Sequence, residues 1–139
     1  MDVRLAAFTH AVTSFDYLVH VDLQELGKQV DERIIDGLQN GMAQKFEYTT
    51  ELCWKSLKVF LKAHAGIDEA SPKKVAKAFY LEGYLGEQDY LLLLQAIDDR
   101  NRLSHVYAKK DFLEILGRLA AYAEMFKRIA QRLAGDWTE

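Results

Sequence analysis

Apolar residues recur at steps of three and four along most of this chain, and that period confines it to helices. Ile35, Leu38, Met42, Phe46, Thr49, Cys53, Leu57 and Phe60 form the longest such stripe, which fades at His64-Ala65-Gly66. Leu5, Phe8, Val12, Phe15 and Val19 form an earlier one, on a first helix expected to end near Gly27. Asp36-Gly37 and Asn40-Gly41 suit hairpin turns, but the apolar period runs through both, so they read as weak spots within a helix. Ser71-Pro72 predicts a short third helix reaching about Glu82, because Ser can cap free backbone N–H groups and Pro suits the first helical position.

After Gly83 and Gly86 a fourth helix opens with Tyr90-Leu91-Leu92-Leu93-Leu94, apolar over more than half of its circumference. Such a face predicts either a wide stripe toward the core or a contact with a second subunit. Phe112, Ile115, Leu119, Tyr122, Phe126, Ile129 and Leu133 step without interruption, predicting one continuous fifth helix. No segment alternates in the manner of a strand, and none repeats at a fixed period. The expected fold class is therefore all-α, an up-and-down antiparallel bundle of four main helices plus one short helix.

A chain of 139 residues supports one core, so residues 1–134 are expected to form a single domain and 135–139 a frayed tail. Half the residues are hydrophobic, which excludes a disordered chain, and a net charge of -3 excludes a uniformly basic nucleic-acid coat. The single Cys53 cannot form an internal disulfide or a multi-Cys zinc site, which points to a reducing compartment. Asp2 and Arg4 precede any apolar stretch, and the run around Tyr90 to Leu94 is too short to span a bilayer. A cytoplasmic protein without membrane contact is expected.

Charge is segregated along the chain. Residues 1–54 carry four basic and nine acidic side chains, residues 55–77 six and two, and residues 98–110 four and two. If folding joins the two basic segments, they make a local anion site; otherwise the cations at the end of helix four complement its dipole. Glu47 and Glu51 share a helix face, where a salt link from Glu51 to Lys55 competes with metal ligation. Cys53 lies on the apolar stripe with no His at a useful sequence distance, and reads as a buried thiol. His10, His20 and His64 stand apart from other ligand types and read as surface or packing residues. There is no P-loop, Rossmann fingerprint, His-Glu-x-x-His or Glu-x-x-His pair, and no metal or cofactor is expected.

The segment from Asp98 to Tyr107 crowds Arg100, Asn101, Arg102, His105 and Tyr107 into the end of helix four. Asn101 and His105 share a helix face, whereas Arg100 and His105 are five apart, roughly 140° around a regular helix. For Arg100 and His105 to act together the helix must end or distort there, or a symmetric dimer must complete the pair. Histidine can move a proton near neutral pH and Arg can neutralise a phosphate, which suffices for metal-free RNA cleavage by an adjacent 2'-hydroxyl.

The run Phe46-Glu47-Tyr48-Thr49-Thr50-Glu51-Leu52-Cys53-Trp54-Lys55, then Ser71-Pro72, then Asp99-Arg100-Asn101-Arg102 leading to His105 and Tyr107, resembles the nucleotidyltransferase substrate-binding protein family of the HEPN superfamily. The similarity covers nearly the whole chain, with Thr50 and Cys53 standing where Phe and Ala are usual, and Ala108-Lys109-Lys110 where relatives are commonly acidic. The resemblance implies a helical bundle paired with a separately encoded minimal nucleotidyltransferase (MNT) in a toxin–antitoxin-like module. It implies a homodimer whose interface holds a latent metal-independent RNase site with Arg100 and His105 catalytic and Asn101 and Arg102 supporting. Tyr107 matches the tyrosine that the MNT partner adenylylates in some HEPN systems, a modification whose bulk and charge would shut a phosphate site. The chain lacks Gly-Ser followed by an Asp-x-Asp pair, so it is not expected to be the nucleotidyltransferase itself. The alternative is a non-catalytic subunit that binds the nucleotide or substrate for a two-component nucleotidyltransferase.

Overall fold

In the computed structural model, residues 2–106 and 108–137 are described. Helix α1 spans Val3–Val19, capped by Asp2, whose carboxylate accepts from the Arg4 amide at 2.8 Å. The first helix therefore stops well short of Gly27. Asp22 starts a separate single turn, α2 at Leu23–Leu26, by accepting from the Glu25 amide at 3.0 Å. A capping carboxylate inside a continuing apolar period is what divides the expected single helix in two.

Helix α3, Glu32–Ala65, is the backbone of the molecule, at 34 residues about 50 Å long. Both Gly-containing pairs lie inside it, and the Asn40 amide reaches back to the Asp36 carbonyl at 3.0 Å. It ends at Gly66, whose φ of 67° closes the helix in the left-handed conformation while Ile67 donates back to the Leu61 carbonyl. Helix α4 is Pro72–Leu81, with Pro72 in the first turn; Ser71 occupies the cap position, but its hydroxyl makes no cap bond. Helix α5 spans Glu87–Leu103.

The expected fifth helix is two helices, α6 at Lys109–Leu116 and α7 at Leu119–Asp136. Gly117 lowers helix propensity at the junction, and Arg118 donates to Ile115 three residues back, so the chain tightens for one turn. A three-residue turn keeps successive apolar side chains on one side, and the sequence period therefore runs through the break unmarked. At the other end, Gly135 and Asp136 are helical, and the Trp137 ring lies 5.6 Å from that of Phe60. Trp137 thus packs against the core, while Gly135 is exposed.

Helices α1, α3, α5 and α7 form the antiparallel bundle. Ser56 meets Arg4 and Lys45 meets Ser14 between α3 and α1, while Asp89 meets Arg128 and Asp99 meets Arg118 between α5 and α7. Phe8, Phe15, Phe46, Tyr122 and Phe126 are fully enclosed at its centre, with Phe46 and Tyr122 stacked at 5.3 Å. Truncating such a ring to Ala costs about 3–5 kcal/mol, so this cluster dominates the stability of the bundle. Along α5, Leu93, Ala96 and Ile97 are buried, but Leu91 is 55% exposed and Leu92 and Leu94 are half-buried. The wide apolar face is therefore only partly covered by the chain's own core. Among the described residues no helix is long and apolar enough to cross a membrane.

Candidate functional site

The polar segment at the end of α5 is organised by Asp99, a residue to which the sequence motifs give no role of its own. Asp99 is 2% exposed and points toward α7. Arg118 grips it with two bonds, Nε to Oδ2 at 2.7 Å and Nη2 to Oδ1 at 2.8 Å, and the Tyr122 hydroxyl donates to Oδ2 at 2.6 Å. Arg102, one turn along α5, adds a longer contact at 3.3 Å. Burial alone would raise the Asp99 carboxyl, but the bonds from Arg118 and Tyr122 and the nearby guanidinium charges outweigh it and hold it below the usual carboxylate range. Burial and the Asp99 carboxylate together push the Tyr122 hydroxyl up, while Asp99 raises Arg118 against the opposing effect of its own burial. The signal in the sequence is Arg118 and Tyr122, one helical turn apart beside Gly117; by spacing alone Tyr122 belongs to the apolar seam.

Arg100 points elsewhere. Its Nε lies 3.1 Å from Oε1 of Glu51 on α3, an ion pair in which the N–H is not aligned for a hydrogen bond. Glu51 also meets Lys55 at 3.6 Å and accepts from the Trp54 indole at 3.3 Å. The Glu51–Lys55 salt link is thus present, and Glu51 is committed to three partners while Glu47 lines a different groove. Glu47 and Glu51 do not converge on a metal position.

Helix α5 ends at Leu103, and the His105 amide donates to the Arg102 carbonyl at 2.9 Å in the turn that follows. The helix does end between Arg100 and His105, as their joint action in one chain requires. The side chains nevertheless part: Asn101, Arg102 and His105 line a groove of about 810 Å³ with Asp98, Asp111, Glu114 and Arg118, and Arg100 does not line it. Tyr107 lies outside the described residues.

The two basic segments do meet, with Lys73 on α4 lying 2.6 Å from Asp98 on α5. Several cations there find a carboxylate, however, as Lys58 does with Asp68 at 3.0 Å and Arg100 with Glu51 at 3.1 Å. The groove holding His105 is lined by four carboxylates, Asp98, Asp99, Asp111 and Glu114, and by two guanidiniums already turned to Asp99. Among the described residues this groove is therefore richer in carboxylates than in free cations, which disfavours a phosphate there in a single chain.

Cys53 is fully buried, and that burial pushes its thiol well above the ordinary range. His64 stacks on Phe60 at 4.4 Å, His20 bonds the Asp16 carbonyl at 2.8 Å, and His10 is exposed. Asp16, His20 and Glu124 bring potential metal ligands within 4.8 Å of one another, but the Lys127 ammonium sits among them, 2.8 Å from Glu124 and 3.4 Å from Asp16. That ammonium offsets one of the two carboxylate charges and already occupies both as an ion-pair partner.

Residues 3–135 match the family described as nucleotidyltransferase substrate binding protein like. The chain belongs to that family. Solved structures agree with this nucleotidyltransferase substrate-binding assignment in fold. A Thermus thermophilus protein superimposes with a TM-score of 0.78 at 27% identity, covering 91% of this chain and 98% of the other. A Haemophilus influenzae protein, described as revealing the fold of a substrate binding domain of a nucleotidyltransferase, gives 0.80 at 20% identity over 94% and 98%. The tri-AMPylated HEPN toxin of Shewanella oneidensis, solved in complex with MNT antitoxin, gives 0.78 at 12% identity over 98% and 100%. No curated protein sequence matches this nucleotidyltransferase substrate-binding chain.

Proposed function

We propose that this chain is the substrate-binding partner of a separately encoded MNT nucleotidyltransferase, in a toxin–antitoxin-like module of the cytoplasm. The match over residues 3–135 carries this reading, and the likeness in fold to an AMPylated HEPN toxin supports it. In this module Tyr107 is the acceptor of adenylyl groups from ATP, with pyrophosphate leaving. Incubating the chain with its MNT and ATP should add adenylyl mass that a Tyr107→Phe variant does not acquire. An unchanged mass in both proteins would remove the assignment.

The latent RNase site is a property of two copies. In one chain Arg100 faces Glu51 while His105 lines the groove beyond Asp99, so the pair is incomplete. The half-covered leucines of α5 lie beside Gln95 and Asp98, which border that same groove. A homodimer formed through this face would bring His105 of each copy to one cleft, and Arg100 would have to leave Glu51 to complete it. One imidazole would take the 2'-hydroxyl proton, the oxygen would attack the adjacent phosphorus, and the other imidazolium would protonate the departing 5'-oxygen. Arg100 would offset the charge growing on the phosphate, with Asn101 and Arg102 in support. Cleavage lost in His105→Ala, with fold and dimer retained, is the expected result; cleavage that survives removes the site.

A second reading is favoured by the Arg100–Glu51 pair and by the carboxylate-rich groove, both of which disfavour phosphate in the isolated chain. In it the protein cleaves nothing and holds a nucleotide or substrate for the MNT. Purified protein that binds the MNT and leaves RNA intact would establish this alternative.

A further inference from the structure

The two oxygens of Glu51 serve different partners. Oε1 lies 3.1 Å from Nε of Arg100, while Oε2 accepts from the Trp54 indole at 3.3 Å and lies 3.6 Å from the Lys55 ammonium. The Arg100 Nε is buried and makes no hydrogen bond, since its N–H is not aligned with the nearby carboxylate. A guanidinium presents a planar fork that fits two oxygens side by side, and here it is offered one, off axis. Both side chains are about one-third exposed, so solvent weakens their attraction further. Trp54 and Lys55 stand on the same helix as Glu51, so the carboxylate keeps partners of its own when Arg100 departs.

We propose that Glu51 is an internal competitor for Arg100, an autoinhibitory contact that an RNA phosphate displaces. The inference rests on the RNase reading of Arg100 and adds to it what keeps that site latent in the isolated chain. A phosphodiester carries the same single negative charge as Glu51 but presents two unesterified oxygens to the fork. It also supplies the acceptor that the buried Nε–H lacks. Glu51 then falls back on Trp54 and Lys55, so opening strands no carboxylate. The latch is weak enough to yield to substrate because its one close contact is misaligned and partly screened.

Fluorescence anisotropy with a 2'-O-methyl RNA oligonucleotide, which keeps its phosphates but has no 2'-hydroxyl to attack them, reads the latch apart from catalysis. Glu51→Gln preserves the shape of the side chain and should tighten binding about fivefold. The gain should vanish in an Arg100→Ala background. Glu47→Gln removes a carboxylate one turn earlier on α3 and should leave affinity unchanged. In the native chain the Arg100 Nε–H NMR signal should move as the oligonucleotide is added, since that proton exchanges Glu51 for phosphate. Affinity unchanged or lower in Glu51→Gln, a gain that survives Arg100→Ala, an equal gain in Glu47→Gln, or a stationary Nε–H signal overturns the proposal. Cleavage of unmodified RNA is scored separately. Tighter binding by Glu51→Gln with no cleavage in any variant supports the latch and removes the RNase reading, whereas cleavage by the native chain with equal affinity in Glu51→Gln removes the latch alone.

Discussion

Asp99 on α5 and Arg118 at the start of α7 are joined by two parallel hydrogen bonds, at 2.7 and 2.8 Å, with the Asp99 carboxylate buried and the Arg118 guanidinium partly exposed. This pair, with the Tyr122 hydroxyl, ties the end of the motif-bearing helix to the last helix. Asp99→Asn should lower unfolding free energy by about 2–3 kcal/mol, because a guanidinium and a phenol lose their charged partner in a buried setting. Urea denaturation of the two proteins at neutral pH measures the difference.

The same carboxylate sets a pH dependence. Asp99 is held below its unfolded value, so its contribution is complete above about pH 4 and disappears as pH falls through the lower folded value. Stability measured from about pH 6 downward should therefore drop more steeply in the native protein than in Asp99→Asn. Parallel acid limbs would show that Asp99 does not govern this range.

Glu51 and Arg100 behave differently because each is about one-third exposed. Glu51→Gln should change stability by no more than about 1 kcal/mol, since solvent screens the pair. The proposed cleavage activity, in contrast, should respond to Arg100→Ala. Thermal melting beside an RNA cleavage assay separates the two roles.

Two glycines in or at the end of α3 should respond with opposite signs. Gly66 has a φ of 67°, so Gly66→Ala should cost about 1 kcal/mol. Gly37 lies within the helix with open space around its missing Cβ, so Gly37→Ala should add about 0.5–1 kcal/mol. Denaturation midpoints at constant slope report both.

Cys53 should resist thiol reagents in the folded protein and react only through unfolding, since burial keeps the thiolate scarce. Cys53→Ser should cost about 1–3 kcal/mol by burying a hydroxyl at a fully enclosed position. Labelling rates across a urea series distinguish global opening from direct access.

The helices were legible wherever a one-sided apolar stripe had to be buried: Phe46, Cys53, Leu57 and Phe60 fall inside just as their spacing requires. Their ends were legible only where a residue type fixes a terminus, as Pro72 and Gly66 do. Asp22 and Gly117 interrupt helices without disturbing the apolar period, and the break escapes a reading based on period. The candidate residues Arg100, Asn101, Arg102 and His105 stood out by chemistry, but their partners did not. Glu51 is 49 positions from Arg100 and Arg118 is 19 from Asp99, distances over which no local pattern operates.

What the sequence alone determined is what local steric and solvent forces determine: helices, their buried faces, a four-helix core and the chemical types gathered at the close of α5. Tertiary packing decided which of those groups meet. It turned Arg100 toward Glu51, enclosed Asp99 between α5 and α7, left His105 in a separate groove, and opened a second polar groove along α3. The physical reason is that burial follows from the period of one helix, whereas charge pairing depends on the register between helices, which is fixed only when the core closes.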